Sequence, residues 1–310
     1  MKNIIITGAT SFIGVNLIKE LVAKSLKIYA VVRPNSNKIK LLPMSDKITL
    51  LQIDMADYDN LDCYIHESCD CLIHLAWNGA RGLDRMNDAI QVKNYKCAMK
   101  AVYAALHLNC KTIVSAGSQA EYGSYNYPID ENTPCHPNTE YGKQKLKLYE
   151  DAMILCPKNK AHFKEPRFFS LYGPGDFEGT MVISILKRML NNRDCELTEC
   201  KQMWDFLYID DAVKGILKLI EIDCDDGVYN FGSGMAKPLK FFIEEMYCLT
   251  HSKSKLLYGA MPYPKTGMVS IEPIIDKLQS QTGWHAETSF QSGILNILKT
   301  WDVENKNANY

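Results

Sequence analysis

No apolar stretch in the chain approaches the roughly 18 residues that a membrane-spanning helix requires; polar or charged residues interrupt every hydrophobic run well before that length. Net charge is nearly absent too. Thirty-five Lys and Arg stand against 36 Asp and Glu, leaving −1 over 310 residues. A nucleic-acid-binding surface concentrates basic residues, so this balance argues against such a partner. Eleven cysteines occur without any Cys-x-x-Cys pair, and Cys69-Asp70-Cys71 is too tight for a usual zinc knuckle. The seven histidines are dispersed, with no pair at ligand spacing on one helix, and no metal site is expected. Scattered, unpaired cysteines read as reduced thiols, and a cytoplasmic location is expected. Met1-Lys2-Asn3 runs straight into Ile4-Ile5-Ile6, so no signal peptide is expected. There is neither an internal repeat nor a low-complexity tract.

What the chain does have is ample apolar content, 46% of its residues, enough for a sizeable core. Short β-branched runs alternate with helical patterns, which predicts an α/β fold with a doubly wound parallel sheet. Strands are expected over 4–7, 28–32, 48–53, 71–75, 112–116 and 167–170. Helices are expected over 12–24, 88–108 and 140–155. Beyond Gly173 the alternation becomes irregular and Pro and Gly punctuate short segments. The expected organisation is a Rossmann-type domain over 1–173 that also takes in about 204–234. A smaller C-terminal substrate lobe would be built from 174–203 and 235–310.

Two segments carry chemistry. The first is Thr7-Gly8-Ala9-Thr10-Ser11-Phe12-Ile13-Gly14, placed after a strand and opening a helix. That context is the one a dinucleotide fingerprint needs. Gly8 would make the tight turn, Gly14 would let helix and sheet pack closely, and the helix N-terminus would face a pyrophosphate. Ser11 stands where the middle glycine usually sits. The second is Ser118 in Gly117-Ser118-Gln119-Ala120-Glu121, followed by Tyr141-Gly142-Lys143-Gln144-Lys145. Tyr141 and Lys145 are four apart and share a helix face. An ammonium beside a phenol favours the phenolate, and a Ser hydroxyl can hold the oxygen that exchanges a proton with it. Such a group moves a proton on oxygen while a hydride moves on carbon.

With these motifs the chain resembles the extended short-chain dehydrogenases/reductases, the family of nucleotide-sugar epimerases, dehydratases and 4-ketoreductases. The resemblance extends over His74-Leu75-Ala76, Arg167-Phe168-Phe169-Ser170-Leu171-Tyr172-Gly173-Pro174, Trp204-Asp205-Phe206-Leu207-Tyr208-Ile209-Asp210-Asp211 and Tyr229-Asn230-Phe231-Gly232-Ser233-Gly234, in family order. It implies Ser118, Tyr141 and Lys145 as the catalytic group. It also implies a cofactor site made from Gly8, Thr10, Ser11, Phe12, Ile13, Gly14, Arg33, Asp54, Met55, Leu75, Ala76 and Trp77 with Tyr141 and Lys145. Asn94 takes a structural reading. Gln119, Arg167 and Trp204 are expected at the substrate, with Lys187 or Arg188 as further phosphate contacts and Tyr172 and Phe177 as pocket aromatics. Ala98, Ala101, Val102, Ala105 and Leu106 form a stripe on the 88–108 helix that the resemblance assigns to a homodimer interface.

The second expected strand ends Val32-Arg33-Pro34-Asn35-Ser36, with no acid for a ribose 2′-hydroxyl. A guanidinium there suits a 2′-phosphate, so NADP is expected over NAD. Sugar 4,6-dehydratases of the family carry an Asp-Glu pair directly after the Ser or Thr, where this chain has Gln119 and Ala120. Neither does general acid/base work, so a dehydratase is disfavoured. The expected activity is an NADPH-dependent 4-ketoreductase of a nucleotide 4-keto-6-deoxyhexose (a CDP- or dTDP-sugar). Gly117–Gly123 resembles the CDP-abequose synthase group more than the UDP-galactose epimerases. The alternatives are a nucleotide-sugar 4-epimerase with retained NAD(P), and a non-catalytic NADP-binding module.

Overall fold

The computed structural model describes residues 1–263 and 268–307. Its first half alternates β1 (Asn3–Thr7), α1 (Phe12–Ala23), β2 (Lys27–Val32), β3 (Ile48–Gln52), β4 (Cys71–His74), α2 (Asp88–His107), β5 (Thr112–Ser115), β6 (Gly117–Ser118), α3 (Glu140–Lys158) and β7 (His162–Phe168). After these come β8 (Leu171–Tyr172), α4 (Met181–Leu190), β9 (Cys195–Leu197), β10 (Met203–Trp204), β11 (Leu207–Tyr208), α5 (Ile209–Glu221) and β12 (Gly227–Phe231). The chain closes with β13 (Lys237–Pro238), α6 (Leu239–Leu249), β14 (Leu256–Tyr258), α7 (Asp276–Thr282) and α8 (Phe290–Asn307).

The main sheet runs β12-β7-β5-β4-β1-β2-β3, with β6 also paired to β7. All its pairings are parallel. A parallel strand covered on both faces must be apolar throughout. Ile4, Ile5 and Ile6 of β1 accordingly have no exposed surface, and neither do Leu72 and Ile73 of β4. Chain order reverses between β1 and β4, and the carboxyl ends of strands at such a reversal leave a crevice for ligands. The expected α/β architecture is the observed one.

One strand differs from expectation. Of the expected 167–170 strand only Arg167 and Phe168 are in a strand, at the end of a longer one, β7, that begins at His162, while Phe169 and Ser170 lie beyond its end. Its first half contains Lys164 and Glu165, charged types that do not read as an interior strand. Both are nonetheless buried, as is Arg167. Lys164 Nζ donates to the carbonyl oxygen of Leu219, 2.8 Å away at the end of α5, where a cation also meets the negative end of the helix dipole.

The expected dimer stripe on α2 also has a different use. Ala98, Ala101, Val102 and Ala105 have no exposed surface, and the last three belong to a core with Met55, Tyr58, Leu61, Ile65 and, from α3, Ala152 and Cys156. Small side chains let α2 lie close to its own chain. Leu106, the remaining residue of the stripe, packs partly buried against the same core. Among the described residues no helix is long and apolar enough to cross a membrane, and no cluster of His, Cys, Asp or Glu could hold a metal ion.

Candidate active site

The turn after β1 shapes the first part of the crevice. Gly8 has φ +68°, and a Cβ on it would lie 2.7 Å from the backbone nitrogen of Ala76. Only glycine permits both the left-handed backbone and that approach of β1 to β4. A Cβ on Gly14 would lie 2.5 Å from the Gly8 carbonyl oxygen. Ser11 caps α1, its hydroxyl accepting from Gly14 N at 3.0 Å. The Phe12 and Ile13 N–H groups, in the first turn, find no acceptor among the described residues, as expected of orphan donors at a helix start. A glycine cradle facing free N–H groups suits the pyrophosphate of a dinucleotide.

A cavity of about 200 Å³ opens from this turn, lined by Gly8, Thr10, Ser11, Arg33, Met55, Tyr58, Leu75, Ala76 and Trp77 among others. Its outer end meets a shallow bowl formed by Arg33, Asn35, Ser36, Asn37, Lys38 and Asp54. Asp54 caps the 3-10 turn Met55–Cys63, its carboxylate accepting from Ala56 N at 3.0 Å. The residues present fit an adenosine dinucleotide, and two cations, Arg33 and Lys38, line the bowl.

The inner end leads to a cavity of about 810 Å³ lined by Phe12, Ile13, Ser118, Tyr141, Lys145, Arg81, Arg85, Phe177, Trp204 and Phe206 among others. Ser118 sits at the end of β6 and opens a 3-10 turn, Gln119–Glu121. A capping box holds it: its hydroxyl accepts from Ala120 N at 3.2 Å, and its own N–H donates to Glu121 Oε1 at 2.7 Å. Thr139 caps α3, whose first turns carry Tyr141 and Lys145 into the cavity wall. Burial raises the Tyr141 hydroxyl above the ordinary phenol range; a hydrogen bond from Ser118 and the charge of Arg85 pull it back down. Burial also lowers Lys145 to about 8. Its ammonium donates to the Ala116 carbonyl oxygen at 2.6 Å and lies 3.9 Å above the Trp77 ring. The lowering of the Tyr141 hydroxyl expected from Lys145 is thus not the net effect: burial outweighs it and holds Tyr141 above the ordinary phenol range.

Asn94 on α2 pins the loop after β4. It accepts from Asn78 N at 3.0 Å and donates to Asn78 O at 2.7 Å, in keeping with its structural reading. Four expectations for substrate contacts are corrected. Arg167 is 1% exposed. Its guanidinium is bound to Glu121 at 2.9 Å and Glu165 at 3.0 Å, so it lies beneath the site and lines no cavity. Tyr172 is buried among Phe206, Tyr208 and Phe290. Lys187 pairs with Glu178 at 2.7 Å. Gln119 follows Ser118 in the turn but does not line the cavity. Phe177 and Trp204 do line it. Trp204 also walls a second hollow of about 420 Å³ that includes Arg188, Glu196 and Gln202.

Sequence reasoning missed Lys38, Arg81 and Arg85. Each is a basic residue within a few positions of a recognised motif, but neither Leu75-Ala76-Trp77 nor Arg33 indicates how the following loop folds back.

The model of the NAD dependent epimerase/dehydratase family matches residues 4–232. The chain belongs to this family. It is an NAD(P)-dependent enzyme of the extended short-chain dehydrogenase/reductase type. The chain is 26% identical to CDP-abequose synthase of Salmonella muenchen over 302 residues, covering 96% of this chain and 97% of the relative. Identity to dTDP-6-deoxy-L-talose 4-dehydrogenase (NAD(+)) of Aggregatibacter actinomycetemcomitans is 28% over 267 residues, 84% of this chain and 95% of that one. In fold it resembles UDP-glucose 4-epimerase of Thermotoga maritima, with a TM-score of 0.87 at 18% identity, covering 97% of this chain and 99% of the other.

Proposed function

We propose that the protein is an NADPH-dependent 4-ketoreductase acting on a nucleotide 4-keto-6-deoxyhexose, with Tyr141 as proton donor to the C4 oxygen. Bound NADPH supplies the hydride. The protein's own part is to hold the ketone oxygen between the Ser118 and Tyr141 hydroxyls and to give up the Tyr141 proton as negative charge builds there. A buried tyrosine kept protonated suits that direction. Lys145, charged below about pH 8, favours the phenolate left after transfer.

Net reduction is preferred over epimerisation because of the cations at the adenosine end. Arg33 and Lys38 border one bowl together with Asn35, Ser36 and Asn37, a donor set suited to a 2′-phosphate and so to NADP. Elimination is disfavoured because Asp176 is the one carboxylate lining the large cavity among the described residues. It is committed to Phe177 N at 2.7 Å and Thr180 Oγ1 at 2.9 Å. On this reading 174–203 and 235–310 form the substrate lobe, the hollow beside Trp204 takes the nucleotide base, and two copies pair through apolar side chains that α2 and α3 leave exposed, Tyr103 and Ile154.

The test is to mix the purified protein with NADPH and a panel of CDP- and dTDP-4-keto-6-deoxyhexoses and follow loss of reduced-nicotinamide absorbance. Stoichiometric consumption that falls by about 10²–10⁴-fold in Tyr141→Phe is the expected result. Isomerisation of intact nucleotide sugars without consumption of added NADPH would replace the reductase with the epimerase.

A further inference from the structure

Arg85 is the cation placed on Tyr141. It lies in the short 3-10 turn Gly82–Met86, in the loop between β4 and α2. Its guanidinium sits 4.7 Å from the centre of the Tyr141 ring and lines the large cavity. The turn is held from below. Gln91, fully buried on α2, donates to the carbonyl oxygens of Gly79 and Asp84, both at 2.9 Å, and accepts from Trp77 Nε1 at 2.7 Å. Trp77 then meets Tyr141 edge to face at 6.0 Å. One buried amide thus fixes the aromatic partner of Tyr141 and the turn that carries Arg85.

We propose that Arg85 is a positioning residue for the proton transfer, stabilising the Tyr141 phenolate through the face of its ring. This rests on the assignment of Tyr141 as the proton-transfer group. The other charged groups around Tyr141 act differently. Lys145, one turn along α3, directs its ammonium to Ala116 O and the Trp77 ring. Burial drives it toward the neutral form, so its charge fades as pH approaches 8. Glu121, after β6, and Glu165, on β7, oppose the phenolate; Arg167 lies against both carboxylates. Ser118 contributes a hydrogen bond without charge. A guanidinium stays charged at every working pH, and a cation over an aromatic face gains strength as the ring gains electron density. Arg85 can therefore support the phenolate at pH above about 8, where the Lys145 charge has faded.

The test uses full-length protein carrying carbon-13 at tyrosine Cζ, with the Tyr141 signal assigned by its loss in Tyr141→Phe. The pH of half-ionisation is compared in the parent, Arg85→Gln and Arg85→Lys, and folding is checked by circular dichroism. The expected result is a proton equilibrium constant about three- to tenfold lower in Arg85→Gln, with recovery in Arg85→Lys. In oxidation of the nucleotide-sugar alcohol by NADP, which requires the ionised tyrosine, the rising limb of kcat moves to higher pH by the same factor. Coincident titrations in parent and Arg85→Gln overturn the proposal. An increased KM with an unmoved limb also overturns it, and makes Arg85 a contact for the substrate's phosphates. The tyrosine titration needs no substrate, so a failure of the ketoreductase assignment would leave it standing.

Discussion

His74 closes β4 with its ring wholly inside the protein, Nδ1 lying 2.8 Å from Thr7 Oγ1 on the neighbouring strand. Two strands beside the glycine turn are thereby joined by a side-chain contact of His74. Burial, aided by the Lys145 charge, lowers its pKa to about 3. The unfolded chain takes up this proton near its ordinary value, so the linkage has one sign. The stabilisation is fully present above about pH 6.5 and is lost as pH falls through the window down to about 3. Exchange to Asn, which cannot titrate, is expected to flatten the acid limb of stability. At about pH 4 the pH-dependent part removed is on the order of 3 kcal/mol, read from urea unfolding of parent and His74→Asn across that range. Parallel limbs in the two proteins would show that His74 does not govern the acid response.

The start of α1 and the middle of the sheet show how far the elements were legible. α1 was recognisable because its apolar positions recur at helical spacing and because glycines bracket its first turn. The role of Ser11 was not: it departs from the family's glycine, yet it caps the helix by accepting from Gly14 N. Loss of such a cap costs about 1 kcal/mol, and glycine at the same position only a few tenths. Ser11→Ala is therefore expected to lower the urea midpoint clearly, and Ser11→Gly to leave it nearly unchanged. Equal losses in the two would mean that the hydroxyl adds nothing. β7 was half missed for the opposite reason. Lys164, Glu165 and Arg167 carry the charges of a surface segment, and their satisfaction depends on α5 and on the Gln119–Glu121 turn, elements distant in sequence. The proposed catalytic residues were readable because Tyr141 and Lys145 are neighbours on one helix. The corrected contacts, Arg167 and Tyr172, failed because residue type alone does not say which side of a strand is open. Arg85 escaped notice because its loop is positioned by Gln91, through hydrogen bonds that leave no pattern.

β7 is the strand on which the molecule's parts converge. It pairs with β5, β6 and β12, so it joins the dinucleotide half of the sheet to the returning segment. At its centre Arg167 reaches Glu121 and Glu165, its guanidinium lying 4.5 Å from the Tyr122 ring and 5.4 Å from that of Tyr149 on α3. Two carboxylates share this one cation, and burial together with Glu121 holds Glu165 well above the usual carboxylate range. Both carboxylates are buried, and Arg167 is the cation that lies against them. Arg167→Met removes the cation and leaves the buried Glu121 carboxylate without its ion-pair partner, which should cost about 3–5 kcal/mol of stability. Because Glu121 also fixes Ser118 N, turnover should fall with it. Adding Glu121→Gln to Arg167→Met removes the stranded charge and keeps an acceptor for Ser118 N, so the double variant should regain much of the lost stability. Chemical denaturation of the parent, the single variant and the double variant decides the matter. A double variant no more stable than the single would mean that Arg167 acts through its packing against the two tyrosines and not through charge.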